Sequence, residues 1–243
     1  MPSDAIGVDL STEIWQERDC EDRRYIDCSF GHAQFTSTIL AGAQFERCRF
    51  AAPRFAHADL HDAAFEDCVF APRDRIGAAF AFSDLRNTRF RGCELSLAKF
   101  ERVDLYAVEM EDCNLRGASF QRVDFSHAFG RKTVSTRAVF RRCNMELTDL
   151  SEARLPDCTF TGSRLREANL EGTDLTGADL RECDLFQALL GQAKLAGADL
   201  RQAEISGLDL LSLASFAGMK IDAAQQHLLL IAMGIDVHPD ARP

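Results

Sequence analysis

Residues 166–200 read REANL EGTDL TGADL RECDL FQALL GQAKL AGADL, and every fifth residue, from Leu170 to Leu200, is leucine. The same phase runs far beyond this stretch. Tyr25, Phe30, Phe35, Leu40, Phe45, Phe50, Phe55, Leu60, Phe65 and Phe70 form one run, Phe80 to Phe125 a second, and Phe140 to Leu210 a third. A second rule accompanies the first: two residues before each large side chain stands a small one, such as Cys28, Ala33, Thr38, Ala43 and Cys48, or Ala168, Thr173, Ala178 and Cys183.

Neither a helix of 3.6 residues per turn nor a strand alternating every second residue keeps a five-residue apolar period on one face. The chain must therefore coil. One large and one small inward position per five residues would line a narrow interior, while the three between them, rich in Asp, Glu, Arg, Gln and Gly, face water. That pattern predicts a solenoid.

Composition removes several alternatives. With 38 acidic against 28 basic residues the net charge is -10, which keeps an exposed rod soluble and argues against direct nucleic-acid binding. No apolar run approaches the roughly 20 residues that span a membrane, and MPSDAIGVDL at the N-terminus shows no secretory signal. A cytoplasmic protein is expected. Of nine cysteines, Cys28, Cys48, Cys68, Cys93, Cys113, Cys143, Cys158 and Cys183 fall on the small inward position, so packing is their expected role, whereas Cys20 precedes the clear repeat. No CxxC pair, GxGxxG, P-loop, HExxH or GxSxG occurs, and the six histidines lie in no metal-ligand spacing. Neither enzyme activity nor a metal or cofactor is expected.

The residues that break the period carry the functional signal. Between Ala71 and Ala79 the chain reads APRDRIGAA, and from Ser126 to Val139 it reads SHAFGRKTVSTRAV. Both interruptions rejoin the same phase, so each can leave the coil as a loop, and loops on a rigid scaffold are where recognition concentrates. Residues 1–70 carry 13 acids and 6 bases and residues 141–210 carry 13 and 8, but residues 71–140 carry 9 acids and 12 bases. A basic, loop-bearing midsection between acidic ends suits a partner that presents both signs of charge.

The units TGADL, AGADL, REANL, EGTDL, RGASF and RGCEL resemble those of the pentapeptide-repeat family. The resemblance implies an all-β solenoid, a right-handed quadrilateral β-helix with one unit per side, two projecting loops and a short C-terminal α-helix. It divides the chain into a lead-in over 1–19, a β-helix over 20–215 with loops at 71–79 and 126–139, and a C-terminal helix and tail over 216–243. FEDCVFAPRDRIGAAFAFSDL and RGASFQRVDFSHAFGRKTVSTRAVF, around the two loops, resemble the Qnr-type branch, whose members protect DNA gyrase and topoisomerase IV from quinolones. That resemblance implies contact with DNA gyrase and topoisomerase IV through Arg73, Arg75, Phe129, Arg131, Lys132 and Arg137. It also implies a DNA-like acidic surface that includes Asp84, Asp104, Asp124, Asp149, Asp174 and Asp179.

After Leu210 the repeat decays, Asp222 can cap a helix starting near Ala223, and Gly234 suits its end. The helix is too apolar to stand in water. It is expected to cover the open end of the coil and, by the family resemblance, to join two copies through Ile221, Leu228, Leu229, Ile231 and Ile235. Two other readings stay open: a general interaction scaffold, and a self-immunity factor against a gyrase poison made by the same cell.

Overall fold

Tyr25 pairs with Phe45, and Phe45 with Phe65, in parallel strands of a computed structural model that describes residues 4–71, 76–129, 133–236 and 238. That offset of twenty residues equals four units of five. Each coil therefore has four walls, and side chains at multiples of five fall into four inward columns. The first wall is a parallel sheet that runs from Ala5–Ile6 through Arg24–Ile26, Gln44–Glu46, Ala64–Glu66, Arg89–Arg91 and Val108–Glu111 to Ala138–Arg141.

Local backbone chemistry explains the five-residue unit. The residues around each large side chain are extended, and the second residue after it takes a positive φ, as in Arg47 at 50°, Asp67 at 50° and Gly92 at 62°. The left-handed conformation turns the corner. It costs an L-residue about 1–2 kcal/mol, but the same residue donates its N–H to the next coil, Arg47 to Glu66 O and Asp67 to Arg91 O, both at 2.8 Å. Corners are thus stable only when coils are stacked.

Packing in the bore follows the register. Phe35, Phe55, Phe80, Phe100 and Phe120 stack nearly parallel, with successive centroids 4.6, 4.8, 4.9 and 4.6 Å apart. Tyr25, Phe45, Phe65 and Phe90 make a like column at 5.0, 4.6 and 4.9 Å. These separations are the spacing between hydrogen-bonded strands, so one geometry satisfies backbone and rings together. Leu40, Leu60, Leu85 and Leu105 fill the fourth column, all fully buried.

The small inward position has a polar use as well. Cys48 Sγ donates to Tyr25 O and Cys113 Sγ to Phe90 O, each at 3.4 Å, and the hydroxyls of Thr38 and Thr173 reach Trp15 O and Leu150 O at 2.8 and 2.9 Å. Any small donor finds an acceptor there. All nine cysteines are free and buried, and burial pushes the Cys158 and Cys183 thiols up to about 12, leaving them protonated at neutral pH.

Three departures from the twenty-residue register matter. Phe55 pairs with Phe80 and Phe65 with Phe90, an offset of 25, whereas Met110 pairs with Phe140, an offset of 30. The chain thus carries five and then ten extra residues, whole multiples of the unit, which is why the phase survives both. Beyond Leu210, Lys194 bridges Ser215 and Asp199 bridges Lys220, an offset of 21, so a one-residue slip moves the last large side chains off the multiples of five.

Both ends differ in detail from the sequence expectation. Coiling starts within the expected lead-in: Ala5 pairs with Tyr25, Asp9 bridges Ser29 and Asp19 bridges Ile39. Two of the four centres in this coil, Ala5 and Cys20, are small, so a search for large side chains passes over it. Trp15 is buried against Tyr25, Phe30 and Phe35, with centroids 5.9, 5.2 and 5.3 Å away. At the other end a 3-10 turn, Ala223–Gln225, leads into the helix Gln226–Ala232. Gln225 Nε2 donates to Leu200 O and Ala203 O at 2.8 and 2.7 Å, and Asp222 Oδ2 accepts the Gln202 N–H at 2.6 Å. The turn thereby satisfies main-chain groups that the end of the stack would leave unpaired. Among the described residues no helix is long and apolar enough to cross a membrane.

Candidate protein-interaction surface

Among the described residues the fourth wall carries four aspartates in an unbroken line. Asp59, Asp84, Asp104 and Asp124 bridge one another in order, each just before its column leucine or phenylalanine, so four carboxylates stand one above the next at strand spacing. Sequence shows these residues 20 or 25 apart; only the register aligns them. Asp174 lies on the same wall further along, but Asp149 lies on the third and Asp179 on the first. The six acids expected to act together are therefore divided among three faces.

They are also less free than an outward-pointing acid would be. Asp84, Asp104, Asp124, Asp149, Asp174 and Asp179 each accept the main-chain N–H two residues on, at 2.8–3.2 Å, and so hold their own corners. Arg86 pairs with Asp84, Lys194 with Asp174 at 3.2 Å, and Arg181 with Asp179 at 2.6 Å. The Arg181 hydrogen bond holds the Asp179 carboxyl below the usual range. Asp104 behaves oppositely: burial raises it, the charges of Asp84 and Asp124 add to that, and only the Tyr106 N–H and Arg86 oppose.

Asp59, His61 and Asp84 are the one described group whose ligand atoms lie within 4.8 Å of one another as a metal would need. Asp59 already holds His61 Nδ1 at 2.6 Å, which raises the imidazole, and Arg86 occupies Asp84. Both carboxylates are thus already engaged by side chains of the same wall. Beside it, on the corner between the third and fourth walls, His57, Phe82 and Arg102 stack on successive coils: the rings are 5.1 Å apart, and the Arg102 guanidinium is 5.3 Å from the Phe82 ring. Sequence analysis missed this exposed ladder. Its one signal is an aromatic residue, Phe82, off the five-residue phase.

The extra ten residues leave the stack after Phe125, directly beyond the acidic line. Asp124 Oδ1 takes the Ser126 N–H at 2.8 Å and its Oγ at 2.6 Å. Strands Ser126–Phe129 and Thr133–Thr136 then pair antiparallel, Ser126 opposite Thr136 and Phe129 opposite Thr133. At the foot of this hairpin Arg137 donates its N–H to Phe125 O at 3.1 Å, gives its carbonyl to Ala107 N–H at 2.7 Å and pairs with Glu109 at 3.3 Å. Arg137, expected to contact a partner, stands at the junction with the coil, its side chain 61% exposed. Arg73, Arg75, Arg131 and Lys132 lie outside the described residues.

At the C-terminal end the five expected interface residues separate into two sets. Leu229 is buried, and Ile221 and Leu228 pack half-buried, all against the protein's own core. Ile231 and Ile235 remain exposed at 65% and 43%, with Met233 beside them at 40%. The first set closes the coil; the second is exposed apolar surface.

A stacked four-walled coil with a period of five residues defines a repeat solenoid, in which each repeat contacts only its neighbours. The chain belongs to the pentapeptide-repeat family: the family model for pentapeptide repeats matches residues 28–70, 76–112, 98–129, 118–162, 143–185 and 183–212. Among solved structures it is similar to a trypsin-treated variant of QnrB1, a plasmid-mediated fluoroquinolone resistance protein, with a TM-score of 0.72 at 24% identity, covering 98% of this chain and 99% of that one. Full-length QnrB1 matches at a TM-score of 0.67 and 24% identity, over 96% of this chain and 100% of that one. The search of curated proteins finds no match.

Proposed function

We propose that this protein binds type II topoisomerases, DNA gyrase and topoisomerase IV, and protects them from quinolones. It would do so as a non-enzymatic, cytoplasmic, right-handed four-sided rod that presents a DNA-like acidic face and a loop beside it. The observation that carries the reading is the continuity of the fourth wall, where the line from Asp59 to Asp124 runs into the hairpin that Asp124 itself secures. The end-to-end likeness of the fold to QnrB1 supports it.

Carboxylates in a line attract a surface built for phosphates. The hairpin gives that attraction a position. Two copies joined through Ile231, Met233 and Ile235 would form a longer rod with a two-fold axis. The deciding experiment is gyrase supercoiling of relaxed plasmid with ciprofloxacin present, titrated with this protein. Restored supercoiling is expected at micromolar or lower concentration; no restoration at any concentration removes the reading and leaves a general interaction scaffold.

A further inference from the structure

The hairpin consists of two strands, and such a pair has little stability of its own in water. Its direction must come from contact with the rod. The bonds at its foot, Asp124 to Ser126 and Arg137 to Phe125, Ala107 and Glu109, hold its two ends to the coil. The first ring beyond the foot is His127, and it lies over Tyr106 on the coil beneath, with centroids 5.1 Å apart and planes inclined by 37°.

Tyr106 is itself held firmly. Its N–H donates to Asp104 Oδ1 at 3.0 Å and its carbonyl accepts the Asn87 N–H at 2.9 Å. On successive coils the equivalent place is held by Ala41, His61, Arg86, Tyr106 and Ser126, so the aromatic platform occurs on the coil that lies directly under the hairpin. His61, Arg86, Asn87, Tyr106 and His127 together line a shallow hollow of about 200 Å³ beside the foot of the hairpin.

We propose that Tyr106 is the positioning residue of the hairpin: its ring, through His127, sets the angle at which the hairpin meets a partner. The functional arm rests on the topoisomerase reading; the structural arm does not. The test compares the wild type with Tyr106→Ala, Tyr106→Phe and His127→Ala, using amide hydrogen exchange and the supercoiling assay.

Tyr106→Ala is expected to speed exchange across Ser126–Phe129 and Thr133–Thr136 by about tenfold, as a local opening loses its contact. Exchange at Asp104 and Leu105 should stay slow, and rescue of supercoiling should fall. Tyr106→Phe, which keeps the ring, should exchange more slowly in the hairpin and rescue better than Tyr106→Ala. If Tyr106→Ala disturbs the coil, His127→Ala makes the same cut from outside the register. Unchanged exchange in the hairpin overturns the proposal, as does faster exchange with full protection. If the wild type protects nothing, the topoisomerase reading falls while hydrogen exchange still decides the role of Tyr106.

Discussion

At the scale of single residues, the columns make the bore intolerant and the walls forgiving. Phe100 is fully buried between Phe80 and Phe120, at 4.9 and 4.6 Å, so Phe100→Ala removes two ring contacts and leaves a cavity that rigid neighbours cannot fill. Urea denaturation should show a loss of about 3–5 kcal/mol; a loss under about 1 kcal/mol would mean that the column collapses around the gap. Asp104 makes the opposite case. Its carboxyl is raised, so ionising it at neutral pH opposes folding, and this penalty disappears as pH falls through the raised value and below that of the unfolded chain. Asp104→Asn keeps an oxygen for the Tyr106 N–H, as Asn114 does for Arg116, and sheds the charge. Its melting midpoint should exceed the wild type slightly at pH 7, the effect being small because the group is half exposed, and the two should converge at acid pH. A lower midpoint at pH 7 would contradict the assigned shift. Asp199, lowered to about 2 by Arg201, has the reverse sign: its contribution is present at neutral pH and lost only as pH falls towards that value.

At the scale of elements, register states which deletions the rod will accept. The second excursion adds ten residues, so removing residues 127–136 joins Ser126 to Arg137 and leaves Phe125, Ser126, Arg137, Ala138, Val139 and Phe140 as one uninterrupted unit. Removing eleven would put every later side chain on the wrong face. The ten-residue deletion should therefore fold, with its circular dichroism and melting close to wild type, while failing to rescue quinolone-inhibited supercoiling. Full rescue would refute a role for the hairpin. The terminal helix divides in the same way. Leu229 belongs to the coil's own closure, so charges there would test folding, whereas Ile231 and Ile235 are exposed. Ile231→Asp with Ile235→Asp should leave the melting transition in place and shift sedimentation from dimer to monomer, because burying two unpaired charges at an interface is costly. A monomeric wild type would end the dimer proposal.

At the scale of the whole molecule, charge density limits what mimicry can do. About ten coils at ~4.8 Å make a rod of roughly 50 Å, and a duplex of that length carries about 30 charges. The net charge here is -10, about a third as much, and Arg86, Arg181, Arg201 and Lys194 neutralise acids locally. Such a field can steer a partner and orient the rod, but it cannot alone compete with DNA for a phosphate-binding channel. The hairpin and a two-fold pairing of rods would have to supply the remaining affinity. The acidic line, the Phe82 ladder and the hairpin adjoin one wall, which is the face the proposed function would use.

The amino-acid sequence by itself determined the coil, because a five-residue apolar period has one physical use and each unit repeats it within a few residues of chain. Phe65, Leu95 and Leu175, read as inward from their phase alone, are buried. It also located the two places where the period fails and the helix that starts near Ala223. Tertiary structure alone decided which acids form a line, because Asp59, Asp84, Asp104 and Asp124 meet only through offsets of 20 and 25 that depend on where the extra residues leave the stack. It decided that Arg137 belongs to the foot of the hairpin, that Leu229 is spent on the coil's own end, and that Tyr106 lies under His127. Those are contacts between residues on different coils, and a periodic sequence looks the same on every coil; which rung a residue occupies is known only once the rungs have been counted in space.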